Sequence, residues 1–223
     1  MDNAVSLVQA YLRLNGYFTV MEFPIIEAMR RGGHRTATDI DVLAFRFPGA
    51  GRLVPRAGTT GSRDTVIGTP DAALGVPQDA PDMIIGEVKE GRAELNAAAT
   101  DPAVLRAALV RFGCCNPSTA DATVKTLIRN GKASTGHGHA IRLVAFGSHS
   151  PEDHPTRYSV VQLDSVVGFL ESYIEEHWEV LRHAEFKDPA FGFLVTLFKS
   201  GHGQWKVNAG RGHDAPEQQE DTQ

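Results

Sequence analysis

Met83-Ile84-Ile85-Gly86-Glu87-Val88-Lys89 decides the fold. It is an apolar run that ends in two charged residues separated by one valine. In a strand successive side chains alternate faces, so Glu87 and Lys89 project on one side and Val88 on the other. Earlier in the chain Thr38-Asp39-Ile40-Asp41-Val42-Leu43-Ala44-Phe45 has the complementary form, with acids opening a second apolar run. Asp39 and Asp41 share a face by the same parity. If the two strands are neighbours, two carboxylates and an ammonium meet at one edge of a sheet. Carboxylate oxygens suit Mg²⁺ or Mn²⁺, and a lysine beside them can orient water, which is the equipment of phosphodiester hydrolysis.

Working outward, Ala4 to Leu14 carries apolar residues at helical spacing, and Asn15-Gly16 stops the helix. Tyr17 to Phe23 reads as a strand whose far end Pro24 cuts short, and the charged strand runs from Thr38 to Phe47. The glycine-broken stretch Arg30, Arg31, Gly32, Gly33, His34, Arg35 is the turn between them. Residues 48–81 shift to Gly, Pro, Thr and Arg and form a long inter-strand insertion, of the length that is functional or disordered. After Lys89, Asp101-Pro102 caps a helix to about Phe112, and a second helix starts at Ser118 or Asp121 and ends at Gly131. Ile141 to Gly147 and Tyr158 to Leu163 are strands. Asp164 caps a long helix to about His183, and Asp188-Pro189 starts a last one ending near Lys199. The order αβββααββαα describes an α/β domain over residues 1–200, with a mobile tail at 201–223.

Composition fits one domain. The 223 residues are 42% hydrophobic, and no stretch approaches the roughly 18 apolar residues of a membrane span. No basic segment followed by an apolar core opens the chain, so the expected location is cytoplasmic, without membrane partners. Cys114 and Cys115 are adjacent and match neither a disulfide framework nor a zinc knuckle, which also fits a reducing compartment. The formal net charge of −5 excludes binding to nucleic acid by bulk electrostatics, so basic residues would have to act locally. Arg30, Arg31 and Arg35 in the turn, and Arg52, Arg56 and Arg63 in the insertion, are the candidates for backbone contacts.

The element order, the acid on the second strand and Glu-x-Lys on the third resemble the PD-(D/E)XK nuclease superfamily, the restriction-endonuclease-like enzymes. The resemblance covers residues 4–163 by element order, and its specific content lies in segments 38–44 and 85–89. It implies a central mixed sheet flanked by helices, an αβββαβ core with extra C-terminal helices. It also implies Mg²⁺-dependent (or Mn²⁺-dependent) cleavage of DNA by attack of water on phosphorus. Asp41 and Glu87 would be the metal ligands, joined by the main-chain carbonyl of Val88, with Lys89 positioning the water. Pro81-Asp82 spells the motif's name but lies five residues before Glu87 on the same strand, with its side chain on the opposite parity; it is read as the start of that strand. Many relatives carry a glutamate on the first helix. Here no acid lies between Val5 and Leu14, so Gln9, Glu22 and Asp39 are the auxiliary candidates.

The implied function is a DNA endonuclease of a defence, restriction or repair system. Its partner would be double-stranded DNA, with a homodimer or a larger complex cutting both strands. The alternatives are a non-catalytic nucleic-acid- or protein-binding subunit with the same fold, or a ribonuclease. Other readings are weaker. The histidines of Gly136-His137-Gly138-His139 lack a third ligand at useful spacing and read as a loop, and no Gly-x-x-x-x-Gly-Lys phosphate loop is present.

Overall fold

The computed structural model describes residues 2–29, 31–50, 52–53, 65–66, 70–77, 79–151 and 156–208. The fold is α/β. Helix α1 (Asn3–Leu14) leads into strands β1 (Phe18–Ala28) and β2 (His34–Arg46), followed by a two-stranded pair, β3 (Arg52–Leu53) and β4 (Thr65–Val66). Strand β5 (Asp82–Arg92) is followed by a 3-10 turn (Ala98–Thr100), helices α2 (Pro102–Arg111) and α3 (Pro117–Asn130), and strands β6 (Lys132–Ser134), β7 (Ala140–His149) and β8 (Ser159–Gln162). Helices α4 (Leu163–Glu176), α5 (Trp178–Leu181) and α6 (Pro189–Asn208) complete it.

The six-stranded sheet has the order β1-β2-β5-β7-β6, with β8 also paired to β7. It is mixed: β2 and β5 are antiparallel, whereas β5 and β7 are parallel, joined by a crossover through α2 and α3. The two central strands are apolar without alternation because both their faces are covered. Ile84, Val88, Val144 and Phe146 pack towards α1, α4 and α6 through Tyr11, Leu12, Leu170 and Phe191. Met83, Ile85, Ile141 and Leu143 face α2 and α3 through Leu105, Leu109, Val124 and Leu127. Each such leucine or isoleucine taken fully out of water contributes about 1.5–3 kcal/mol before the ordering cost is counted.

Several boundaries differ from the sequence-based expectations, for local reasons. Strand β1 continues through Pro24 to Ala28. It is an edge strand, so the missing N–H of Pro24 removes no ladder bond from a second neighbour. Strand β2 correspondingly begins at His34, four residues before Thr38. Helix α3 starts at Pro117 after the N-cap Asn116. Asp164 is not the cap of α4: Gln162 is, and Asp164 lies in the first turn. That helix stops at Glu176, and α5 follows as a separate short segment. Helix α6 runs to Asn208, into the segment expected to be a mobile tail; residues 209–223 lie outside the described residues. Its start agrees with the expectation, since the Asp188 carboxylate accepts the Phe191 N–H at 3.0 Å. No helix among the described residues is long and apolar enough to cross a membrane.

Two features of the sheet place the candidate site. The ladder between β2 and β5 runs from Arg46↔Asp82 to Val42↔Gly86, and beyond it the two strands take different partners. From there β2 stays with β1 as a two-stranded ribbon reaching Ala28 and His34, while β5 stays with β7. The sheet therefore forks immediately after Val42 and Gly86, and the next residues on the two arms are Asp41 and Glu87.

Candidate active site

Asp41 bridges the fork. Its Oδ2 accepts the main-chain N–H of Val88 at 2.9 Å, so a side chain replaces the carbonyl that the ladder would have supplied. Glu87, beside it, is 2% exposed and stands midway along β5, where its apolar run gives way to charged residues. Its Oε1 receives both Lys89 Nζ at 2.5 Å and Asn96 Nδ2 at 2.6 Å. Lys89 keeps 44% of its side chain in solvent. The structure thus brings Asp41, Glu87, Val88 and Lys89 together.

The electrostatics match this geometry. Burial pushes the Asp41 carboxyl above its ordinary value; the Val88 N–H and Lys89 oppose the shift, while Asp2 and Glu22 add to it. Burial raises Glu87 as well, and Asp41 adds to that shift against the pull of Lys89 and Asn96. The hydrogen bond to Glu87 raises Lys89, with Asp41 and Asp2 adding in the same direction. Lys89 is therefore an ammonium at neutral pH, with hydrogens to donate beyond the one Glu87 accepts.

Two residues of the site were missed in the sequence. Asp2 caps α1, its Oδ1 accepting the Val5 N–H at 2.8 Å, and its charge acts on both Asp41 and Lys89. The helix start was legible, but its position against β2 was not. Asn96 belongs to no motif and lies in the connection after β5; only the contact with Glu87 reveals it.

Of the auxiliary candidates, Glu22 stands opposite Asp41, between the pairs Met21↔Val42 and Phe23↔Ile40. Its φ of 49° is left-handed, a conformation that a non-glycine residue rarely adopts inside a strand. Gln9 points elsewhere: its Nε2 donates to Thr19 Oγ1 at 3.4 Å. Asp39 is exposed on the ribbon, opposite Pro24.

The two basic candidates of the turn whose side chains are described lie apart from these acids. Arg35 is six residues out along β2, roughly 20 Å from Asp41 at strand rise, and is paired with Glu27 at 2.5 Å. Arg31 is exposed in the turn of the ribbon. Arg30, Arg56 and Arg63 lie outside the described residues, and of Arg52 only the strand position is described.

Asp82 does more than open β5. It is fully buried and accepts Arg142 Nε at 3.0 Å and Nη2 at 2.7 Å, with the Tyr17 hydroxyl at 2.5 Å. Arg142 Nη1 also donates to the Leu74 carbonyl at 2.7 Å, which ties the end of the long insertion to the sheet. This network sits at the start of β5, five residues before Glu87. The His137–His139 segment is a loop, as expected, closed by Thr135 N–H donating to the His139 carbonyl at 2.9 Å. Cys114 and Cys115 are buried, and burial pushes the Cys114 thiol up to about 11.

The carboxylates at the fork set which cation the site could hold. Among the described residues no group of three or more His, Cys, Asp and Glu side chains is gathered to hold a metal ion unaided. Mg²⁺ asks for less, since one or two carboxylates suffice when waters and substrate phosphates fill the remaining positions. Among the described residues, Asp41 and Glu87 each have one oxygen engaged by protein donors and a second with no protein donor. That donor set fits Mg²⁺. Comparison with known proteins does not assign a family: no family model, no curated protein and no solved structure matches the chain.

Proposed function

We propose that the chain is a metal-dependent endonuclease of the PD-(D/E)XK type, hydrolysing phosphodiester bonds of DNA, with Asp41, Glu87 and Lys89 as its catalytic residues. The observation that carries the reading is the fork in the sheet. It places two burial-raised carboxylates and an ammonium within hydrogen-bond reach of one short stretch, Glu87-Val88-Lys89.

Asp41 and Glu87 would hold Mg²⁺ through the oxygens that Val88, Lys89 and Asn96 do not engage, and the Val88 carbonyl would be the third donor. The bound cation supplies charge neutralisation at the phosphoryl oxygens and acidifies water. Lys89, half in solvent and protonated, would orient the attacking water towards phosphorus or steady a phosphate oxygen. The water oxygen forms the new bond to phosphorus and gives up a proton to solvent, the bridging P–O bond breaks, and the departing oxygen takes a proton from solvent. Partial burial of the acids serves this chemistry, because charge interactions strengthen where water is thin. A host-defence, restriction or repair setting, with a second copy to cut the opposite strand, follows from the fold analogy.

The test is incubation of the purified protein with plasmid, linear DNA and RNA in Mg²⁺, Mn²⁺ or EDTA, beside Lys89→Ala. Cleavage of DNA that needs the cation and Lys89 is the expected result. Cleavage indifferent to EDTA or to the substitution overturns the mechanism, and cleavage of RNA alone makes the chain a ribonuclease. The net charge of −5 favours a second reading, a non-catalytic binding subunit, which predicts no cleavage of any substrate.

A further inference from the structure

We infer that Asn96 is a positioning residue that divides the two oxygens of Glu87, holding Oε1 for the protein and turning Oε2 towards the cation. The inference rests on the proposed cation site and concerns a residue outside the charged motif.

Three contacts carry it. Asn96 Nδ2 donates to Glu87 Oε1 at 2.6 Å, the oxygen that Lys89 also contacts. Glu87 Oε2 has no hydrogen-bond or ion-pair partner among the described residues. Asn96 Oδ1 in turn accepts the Ala99 N–H at 2.6 Å, in the 3-10 turn that contacts both β2 and β5. The last contact sets the orientation of the amide. Reversed, it would set its oxygen against a carboxylate and its NH₂ against an N–H, losing both bonds.

Lys89 cannot do this work alone. It is half in solvent on a flexible stem, and a phosphate entering the site competes for its ammonium. When Lys89 turns to substrate, Asn96 is the remaining donor on Oε1, and it is anchored at its far end. A neutral amide also holds the carboxylate without cancelling its charge, so the affinity of Oε2 for a cation is preserved. Partners of this kind typically alter metal affinity by about 10–100-fold.

Asn96→Asp separates this role from a structural one. Aspartate keeps the acceptor for Ala99 N–H, and with it the capping of the turn, but loses the donor to Glu87. Asn96→Ala loses both. Mn²⁺ alone is titrated calorimetrically into the metal-free full-length protein and both variants, with circular dichroism as the check on folding. The expected result is roughly 10–100-fold weaker Mn²⁺ binding by both variants, with N96D keeping the parent's circular dichroism spectrum. Binding by N96D equal to or tighter than the parent's overturns the inference while leaving the cation site standing. Absence of Mn²⁺ binding by the parent removes the proposed cation site itself, and this inference with it.

Discussion

Asp41 Oδ2 accepts the N–H of Val88 at 2.9 Å, so the carboxylate proposed to bind a cation also closes the point where two strands separate. The two duties come apart on mutation. Asn in place of Asp41 still offers an oxygen to Val88, whereas Ala offers none. Asp41→Asn is expected to keep the parent's urea midpoint and to lose Mn²⁺ binding and cleavage. Asp41→Ala is expected to lose both functions and about 1–3 kcal/mol of stability. Equal destabilisation by the two variants in urea melts would assign the hydrogen bond no role.

The same carboxylates give a pH signature. Burial raises Asp41 above its ordinary 3.8 and Glu87 above its ordinary 4.5, so each binds its proton more tightly folded than unfolded. Their contribution is therefore favourable at low pH and declines as pH rises from those ordinary values through the raised folded ones. In EDTA, Asp41→Asn should match or exceed the parent's melting temperature near neutral pH, with the difference shrinking as the solution is acidified. Saturating Mg²⁺ should raise the parent's melting temperature at neutral pH and leave that variant unmoved. A variant advantage that grows on acidification would reverse the sign and refute the account.

At the start of β5, Asp82 and Arg142 form a buried charge pair with Tyr17 and the Leu74 carbonyl around it. Removing one partner leaves a charge without compensation, so Asp82→Asn or Arg142→Met should cost about 3–5 kcal/mol in denaturant melts. Mn²⁺ affinity of the folded fraction should be unchanged, because Asp82 lies on the other face of the strand and five residues from Glu87. Loss of Mn²⁺ binding in folded Asp82→Asn would restore the Pro81-Asp82 dipeptide to the site.

Gly147 backs the connection that carries Asn96. A Cβ there would stand 2.6 Å from the Ala93 nitrogen and 2.7 Å from its Cα, closer than backbone atoms can yield without moving. Gly147→Ala should therefore cost about 1–3 kcal/mol and displace the 93–96 segment. The readouts are the denaturant midpoint and a Mn²⁺ affinity lowered in the direction expected for Asn96→Ala. A variant as stable as the parent, with unaltered Mn²⁺ affinity, would show that the segment adjusts freely.

The core strands and the charged stretches were legible in the sequence because they obey short-range rules: unbroken apolar runs for Met83–Ile85 and Leu143–Phe146, and period-two acids at Asp39 and Asp41. Pro24 misled because proline's effect depends on whether a strand has one neighbour or two, which is a property of the sheet. Asp2 and Asn96 were missed because their relevance comes from segments folding back onto β2 and β5. Asp82 was set aside on parity, consistent with its place on the other face, but its pairing with Arg142 spans 60 positions and leaves no local trace. Asp164 has the composition of a cap, yet the backbone of α4 begins one residue before it.

The branching of the sheet has a bearing on how such a chain can vary. Asp41 and Glu87 are the residues next to the last pair held in common by β2 and β5, so their spacing is set by the trunk of the sheet and not by its limbs. Lengthening or shortening the β1–β2 ribbon beyond Phe23 and Asp39 alters what the protein can touch at a distance, while the two acids keep their mutual position. Reach and chemistry are thereby free to diversify independently.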